Sequence, residues 1–163
     1  MIVIALGANL PSHAGSPRET LLSSLDALTA LGIRVTALSS FYSTKAWPDP
    51  GDPAFVNAVA LLDTELAPPD LMSRLHDVET SFGRKRSSKN APRPLDLDLI
   101  DYNGRVESGS PDLPHPRMRS RAFVLVPLAE VAPGWCHPVS GETVEQLLAT
   151  LDGGDKDVTR LDR

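Results

Sequence analysis

The sequence has little cysteine, few aromatic residues and no long apolar run. Its single cysteine, Cys136, cannot form an internal disulfide and could bind zinc only with other ligands. Because disulfides are rare in reducing compartments, this composition fits a cytoplasmic protein. No apolar run approaches the roughly 20 residues of a membrane-spanning helix. The apolar residues 1–10 have no basic segment before them, so they do not resemble a signal peptide.

The chain also lacks an excess of basic residues. It carries 16 lysines and arginines against 21 aspartates and glutamates, which gives a formal net charge of -5. A protein that binds nucleic acid or an anionic membrane needs a basic surface, so neither partner is expected. With 163 residues, a single domain over 1–151 is the default. The Gly-, Asp- and Lys-rich residues 152–163 are expected to form a flexible tail.

The order of the apolar segments predicts an α+β protein. Strands are expected at residues 2–6, 33–42, 55–63 and 95–102. A first helix begins at the capping box of Ser16 and Glu19, and a second begins at 68–70. Residues 122–131, cut by Pro127, and 142–151 are further helix candidates. This order favours a ferredoxin-like sandwich, with helices on one face of a largely antiparallel sheet.

Two aspartates alternate with leucines at residues 95–99. Because residues i and i+2 of a strand share a face, Asp96 and Asp98 are expected to point together while the leucines enter the core. Mg²⁺ in proteins commonly binds one or two carboxylates together with substrate phosphates. A polar strand face that only meets water is the alternative. Aspartate is disfavoured in strands, so two in alternation strengthen the hypothesis of a metal site.

A basic segment lies directly before these aspartates. Residues 83–93 carry five cations and no acid, in an otherwise acidic protein. Arginine guanidinium groups bind phosphate oxygens well. A solvated loop or a nucleic-acid contact would explain the segment alone, but next to paired aspartates it indicates a site for an anionic substrate such as the polyphosphate of ATP.

Two other segments give weaker signals. His115 lies between two prolines in the basic residues 114–123, where a lone surface histidine is the simpler interpretation. Residues 7–10, GANL, follow the first strand and match no Walker A or Rossmann signature, so a tight turn is favoured.

Taken together, the motifs resemble the 6-hydroxymethyl-7,8-dihydropterin pyrophosphokinase family of folate biosynthesis. They occur in family order over residues 2–151: GANL, FYST, FVNAVALLDT, GRKR, APRPLDLDLIDY and PHPRMRSRAFVLVPLAEVAP. The resemblance implies a monomeric ferredoxin-like fold. It also implies transfer of the pyrophosphoryl group of ATP to the pterin hydroxymethyl oxygen with release of AMP, supported by two Mg²⁺ ions.

The resemblance also assigns roles to individual residues. The implied metal ligands are Asp96 and Asp98. The implied catalytic residues are Arg84, Arg93, Asp96 and Asp98. The implied ATP-binding residues are Glu79, Arg84, Arg86, Arg93, His115 and Arg121. The implied pterin-binding residues are Thr44, Phe55, Asn57, Asp96 and Phe123, where Phe55 and Phe123 stack on the ring and Asn57 reads its polar edge.

Three positions depart from the family pattern. Asn90 replaces a tryptophan that helps to seal the closed site. Pro116 replaces a tyrosine near the nucleotide, and His76 replaces a glutamine near the adenosine. Two rival hypotheses remain open: a ferredoxin-like nucleic-acid-binding module, and a different Mg²⁺–ATP phosphotransferase that acts on another heterocyclic alcohol.

Overall fold

The computed structural model describes residues 1–85, 91–152 and 157–162. Two residues singled out above, Arg86 and Asn90, lie outside this part. Six strands are present in the described residues: β1 (Ile2–Ala8), β2 (Arg34–Leu38), β3 (Tyr42–Thr44), β4 (Phe55–Asp63), β5 (Asp96–Tyr102) and β6 (Val158–Arg160). The α-helices there are α1 (Pro17–Ala30), α2 (Pro68–Ser81), α3 (Ala122–Val131) and α4 (Val144–Ala149).

The strands form one antiparallel sheet in the order β5-β1-β4-β3-β6, and β2 pairs with β4 beside β3. This confirms the predicted α+β class and the largely antiparallel sheet. The central strand β1 is buried along its whole length. Both faces of this strand are covered, which explains why its sequence is apolar throughout and does not alternate with polar residues.

Helices cover both faces of the sheet, so the expectation that they lie on one face is wrong. Ile4 and Leu6 of β1 pack in the core with α1 and α2. Val3 and Ala5 point the other way and pack with α3 and α4. The cause lies in α3, which is apolar on nearly every side and therefore needs a buried position. Its helix continues through Pro127, so the predicted interruption is absent.

The local signals for α1 are confirmed. The Ser16 hydroxyl accepts a hydrogen bond from the Glu19 amide at 3.3 Å, and the Glu19 carboxylate accepts one from the Ser16 amide at 2.7 Å. Gly32 follows the helix with a φ of +81°. That conformation suits glycine and ends the helix.

The predicted strand at 33–42 is two strands, β2 and β3. Leu38 lies opposite Ala60 and Tyr42 lies opposite Asn57. The chain therefore advances four residues from β2 to β3 while β4 advances only three, so one residue is left over at the break. At the break, the Ser39 hydroxyl accepts a hydrogen bond from the Val59 amide at 3.0 Å. The Ser39 hydroxyl thus takes the place of a backbone carbonyl as the acceptor for Val59. The β-branched sequence pattern of this segment could not indicate such a break.

The tail expected to be flexible contributes a sixth strand. Residues Val158–Arg160 pair with β3, and the Leu161 amide donates to the Phe41 carbonyl at 2.8 Å. For these residues the expectation is wrong, because β3 would otherwise present an unpaired edge. Among the helices in the described ranges, none combines the length and the hydropathy of a membrane-spanning segment.

Candidate active site

A cavity of about 560 Å³ opens on the α3 face of the sheet. Its floor follows from strand register: Asp96 of β5 lies opposite Gly7 of β1, which lies opposite Asn57 of β4. A Cβ atom on Gly7 would come within 3.0 Å of the Asn57 side-chain oxygen. Glycine at this position therefore leaves room for the Asn57 side chain, and Ala5, which lies opposite Asp98, also lines the cavity.

The two aspartates share this face, as the alternation predicted. Leu97 and Leu99 are 1% exposed and enter the opposite core, while Asp96 and Asp98 border the cavity. Their surroundings differ. Asp96 forms ion pairs with Arg84 at 2.5 Å and with Arg93 at 3.1 Å.

Burial by itself would raise the pKa of Asp96, but the charges of Arg93 and Arg84 outweigh it and lower that pKa. The carboxylate of Asp98 accepts no hydrogen bond and forms no ion pair within the described ranges. Burial, followed by repulsion from Asp96, raises the pKa of Asp98 to about 6. One carboxylate is thus already neutralised by arginine, and the other carries a charge that still lacks a close counterion.

Glu79 of α2 lies beneath this pair and holds Arg84. It is 4% exposed, and one of its oxygens accepts hydrogen bonds from the Arg84 guanidinium at 2.6 Å and the Leu97 amide at 2.9 Å. Burial raises its pKa to about 7 against the opposing effects of these two donors. Glu79 therefore orients Arg84 toward Asp96 and fixes α2 to β5.

Arg93 connects the charged and the aromatic parts of the cavity. Its guanidinium carbon lies 5.3 Å from the centre of the Phe55 ring, while one terminal nitrogen faces Asp96. Its Nε is buried without a hydrogen-bond partner. Since an unpaired buried donor is unfavourable, an anionic oxygen bound here would supply the missing acceptor.

The opposite wall comes from the start of α3. Arg121 precedes the helix, and its guanidinium carbon lies 5.4 Å from the centre of the Phe123 ring. Burial lowers the pKa of Arg121, with the charge of Asp98 acting in the opposite direction. Each of the two phenylalanines expected to stack on a flat ligand is thus covered by an arginine in this structure.

His115 lies near this wall but not in the cavity lining. Burial, reinforced by Arg121 and Arg117, lowers the pKa of His115 to about 4. Its Nδ1 accepts a hydrogen bond from the Arg117 amide at 3.2 Å. The ring is therefore neutral at physiological pH, and its Nε2 is the nitrogen that can donate to a phosphate oxygen.

The remaining wall is mostly uncharged. The Asn57 side-chain amide donates to the Thr44 hydroxyl at 2.8 Å, which fixes both polar groups beside Phe55. Trp47 borders the same space and is 72% exposed. The described part of the tail also contributes, since Asp157 lines the cavity and forms an ion pair with Lys45 at 3.7 Å.

The cavity brings together most of the residues expected from the sequence. Its lining includes Thr44, Phe55, Asn57, Arg93, Asp96, Asp98, Arg121 and Phe123. Arg84 and Glu79 support it from below, and His115 lies outside the lining. Sequence reasoning did not assign Gly7 or Asp157 to the site. A glycine at the end of a buried strand was a usable signal for Gly7, whereas the place of Asp157 depends on long-range packing.

The donor set fits a metal ion that takes part of its coordination from a substrate. The described ranges contain no group of three or more histidine, cysteine or acidic side chains that could hold an ion alone. Two adjacent carboxylates, one without a counterion, suit Mg²⁺ that is also bound to phosphate oxygens and water. Asp96 and Asp98 are the residues that would hold it.

Sequence comparison agrees with this geometry. The profile of the 7,8-dihydro-6-hydroxymethylpterin-pyrophosphokinase (HPPK) family matches residues 3–133. The chain belongs to this family. HPPK relatives include the 2-amino-4-hydroxy-6-hydroxymethyldihydropteridine pyrophosphokinase of Synechocystis, 41% identical over 152 residues, covering 92% of this chain and 75% of the relative. The enzyme of that name from Methylorubrum extorquens is 41% identical over 145 residues, covering 88% and 90%.

Solved structures share the fold. The crystal structure of Plasmodium falciparum HPPK-DHPS with pteroate aligns with a TM-score of 0.64 at 12% identity, over 91% of this chain and 43% of that one. At this identity the likeness supports the fold alone. Membership of the HPPK family makes the chain a pyrophosphokinase that acts on hydroxymethyldihydropterin.

Proposed function

We propose that this cavity transfers the pyrophosphoryl group of ATP to the hydroxymethyl oxygen of 6-hydroxymethyl-7,8-dihydropterin and releases AMP. One observation carries the proposal: a single cavity is lined both by paired carboxylates with arginines and by two phenylalanines with a fixed amide. The first set suits a polyphosphate with its cations, and the second suits a flat heterocycle with a polar edge.

ATP occupies the charged half of the cavity in this proposal. Arg93 and Arg121 contact the phosphates, because both border the cavity and the Arg93 Nε lacks an acceptor. Arg84 takes up charge on the transferred group, and Glu79 acts by holding Arg84. His115 donates from its neutral ring. A contribution from Arg86 stays a prediction from family resemblance, as does the assignment of Glu79 to the nucleotide site.

The pterin occupies the uncharged half. Phe55 and Phe123 stack on its two faces, since flat rings gain both from apolar burial and from ring stacking. Asn57, held by Thr44, reads the polar edge of the ring. Stacking would require Arg93 and Arg121 to leave the ring faces that they cover here. Those are the arginines that ATP phosphates would attract.

Asp96 and Asp98 would hold two Mg²⁺ ions, which neutralise phosphate charge when bound. The pterin hydroxyl attacks the β-phosphorus, a new oxygen–phosphorus bond forms, and the bond from that phosphorus to the oxygen of AMP breaks. The hydroxyl proton passes to solvent water. Beyond the aspartates, the described part of the site holds no strong general base. Catalysis by this chain is therefore mainly positioning and charge stabilisation by arginine.

The proposal further places the protein in the cytoplasm as a monomer that acts on small molecules and not on nucleic acid. The exposed free thiol of Cys136 supports a reducing compartment. The acidic net charge of -5 argues against a nucleic-acid partner. A gel shift with increasing salt would reveal nucleic-acid binding if the rival hypothesis were correct.

Dependence on the acceptor tests the proposal. ATP consumption by the wild-type protein with Mg²⁺ should require 6-hydroxymethyl-7,8-dihydropterin. The matched control is 6-methyl-7,8-dihydropterin, which has the same ring but lacks the hydroxyl group. We expect no ATP consumption when the 6-methyl compound replaces the substrate, and none when ATP is supplied without a pterin. Equal consumption without the hydroxymethyl compound would contradict the assigned acceptor.

A further inference from the structure

The tail strand β6 borders the cavity in addition to pairing with β3. Val158, the first residue of β6, is partly buried and lines the cavity, although the proposed chemistry does not use it. The preceding residue, Asp157, lines the cavity too, and its ion pair with Lys45 ties the start of β6 to the residue that follows β3. The C-terminal part of the chain therefore supplies a piece of the cavity wall.

Strand register places Val158 next to residues assigned to the pterin. Thr44 of β3 lies opposite Val158 on one side and opposite Phe55 of β4 on the other. Directly opposed residues of antiparallel strands direct their side chains to the same face, and all three residues line the cavity. Phe55, Thr44 and Val158 thus form one row across three neighbouring strands. The row ends at Val158, because β6 is the outermost strand on this side of the described sheet.

The proposed metal ligands set the direction in which the pterin lies. Asp96 and Asp98 belong to β5, at the other edge of the sheet from β6, so the hydroxymethyl group points toward β5. The amino group on C2 of the pterin lies at the opposite end of the fused rings from the hydroxymethyl group on C6. The amino end therefore points across β1 and β4 toward β3 and β6.

The spacing of the strands matches this orientation. Neighbouring strands lie about 4.8 Å apart, so β3, three strands away from β5, is roughly 14 Å from it. The pterin and a metal ion between its hydroxymethyl group and Asp96 together fill such a span. The amino group then lies over Thr44, whose hydroxyl accepts from Asn57 and has a second lone pair for another donor. Val158 is the next side chain along the row.

We propose that Val158 is a specificity-determining residue that closes the site beyond the amino group of the pterin. Its branched side chain is stiff and offers no hydrogen bond, so it borders an unsubstituted amino group but leaves no space for a substituent on that nitrogen. This inference rests on the function proposed above. It predicts that the protein discriminates against pterins alkylated at the amino group, and that residue 158 sets the degree of discrimination.

Calorimetry on the full chain measures this discrimination. The protein is first saturated with α,β-methylene-ATP and Mg²⁺, in which the bond that would be cleaved is blocked. It is then titrated with 6-hydroxymethyl-7,8-dihydropterin or with the same compound carrying a methyl group on its amino nitrogen. One extra carbon at a fitted site changes affinity by about 10- to 200-fold. The wild type should therefore prefer the unmethylated compound by at least about tenfold.

Two substitutions at Val158 should change this preference in opposite directions. Val158→Ala makes room for the methyl group, and the preference should fall below about threefold. Val158→Leu reduces the space beside the amino group and should weaken binding of the unmethylated compound by at least about fivefold. The affinity for α,β-methylene-ATP alone should change less than about twofold in both variants. The leucine variant serves if the alanine variant does not fold.

Thr159→Ala is the matched control. Thr159 is the next residue of β6, is exposed and is not part of the cavity lining. This variant should keep the wild-type preference.

Three outcomes would overturn the inference: equal affinity of the wild type for the two pterins, an unchanged preference in both Val158 variants, or the same loss of preference in Thr159→Ala. The last two would mark β6 as a purely structural strand. Failure of the proposed function gives a different pattern, because the wild type would then bind neither pterin.

Discussion

The two halves of the cavity are built on different principles. The charged half is cross-linked: Glu79 holds Arg84, which holds Asp96, which also pairs with Arg93. In the uncharged half, Asn57 donates a side-chain hydrogen bond to Thr44, and Trp47 is largely exposed. Charges buried without a ligand need partners within the protein, whereas a stacking surface needs only shape. The charged half is therefore preorganised by its own ion pairs.

Removing one of the two proposed metal ligands should have the largest effect. We expect Asp98→Ala to lower AMP formation by about 1,000-fold or more, since it removes the carboxylate that lacks a protein counterion. The fold should remain, because alanine keeps the backbone pairing with Ala5 and, within the described ranges, the Asp98 side chain accepts no hydrogen bond. A circular dichroism spectrum and Tm check this. Retention of most of the Mg²⁺-dependent activity would show that the metal assignment is wrong.

Breaking the cross-linked half should cost stability. Arg84→Ala leaves the buried Glu79 carboxylate without its cation, which we expect to lower the free energy of unfolding by about 2 to 3 kcal/mol. The loss should be larger at pH 8 than at pH 6, because the pKa of Glu79 is about 7 and the neutral acid needs no cation. Urea unfolding at both pH values measures this.

The control for this variant is Arg34→Ala. Arg34 pairs with Asp63 at 2.5 Å, but both side chains are largely exposed, at 73% and 60%. Exposed ion pairs contribute at most about 1 kcal/mol. If both variants lost the same free energy of unfolding, the buried network around Glu79 would contribute no more to stability than an exposed ion pair.

Altering the uncharged half should change pterin affinity selectively. Phe123→Ala removes one stacking surface, and we expect pterin binding to weaken by roughly 10- to 100-fold. Binding of α,β-methylene-ATP measured without pterin should change less than about threefold. Phe123→Leu keeps apolar contact and should give a smaller loss by calorimetry. Unchanged pterin affinity in the alanine variant would count against stacking.

The smallest expected effect is a gain in stability of the metal-free protein. Burial raises the pKa of Asp98 to about 6 in the folded state, from its ordinary value of 3.8. As the pH falls, Asp98 therefore becomes protonated in the folded state before it does so in the unfolded state. The stability of the folded state consequently rises as the pH falls from 7 toward 4. At pH 7.5 in EDTA, Asp98→Asn should raise the Tm by roughly 5 °C.

That gain should shrink below pH 6, where wild-type Asp98 is itself neutral. Asp26→Asn, at an exposed position on α1, should leave the pH profile of the Tm unchanged. A gain for Asp98→Asn that is independent of pH would contradict the assignment of the raised pKa to a buried, uncompensated charge.

The parts of the site that the sequence predicted depend on local periodicity. Alternation of aspartate with leucine placed Asp96 and Asp98 on one face, because a strand has a period of two. The capping box gave the start of α1 for a similar reason. Roles for the arginines and phenylalanines came from family resemblance, and the structure puts Arg93, Arg121, Phe55 and Phe123 around one cavity.

The parts that could not be predicted depend on contacts between distant segments. The sequence marks Gly7 as the end of a strand, but its place in the floor of the cavity depends on Asn57, which approaches it across the sheet. The tail becomes a strand because β3 offers it an edge, and α3 covers the second face because β1 is apolar on both sides. The orientation of Glu79 toward Arg84 likewise depends on how α2 packs on β5. None of these contacts leaves a periodic signal in a single sequence.

Identification of the nucleotide product tests the central claim most directly. Wild-type protein, ATP, Mg²⁺ and 6-hydroxymethyl-7,8-dihydropterin are incubated together, and the nucleotides are separated by chromatography. Pyrophosphoryl transfer predicts AMP in equal amount to a pterin that has gained two phosphates. ADP with a singly phosphorylated pterin would mean that the cavity transfers a phosphoryl group instead, and would contradict the account.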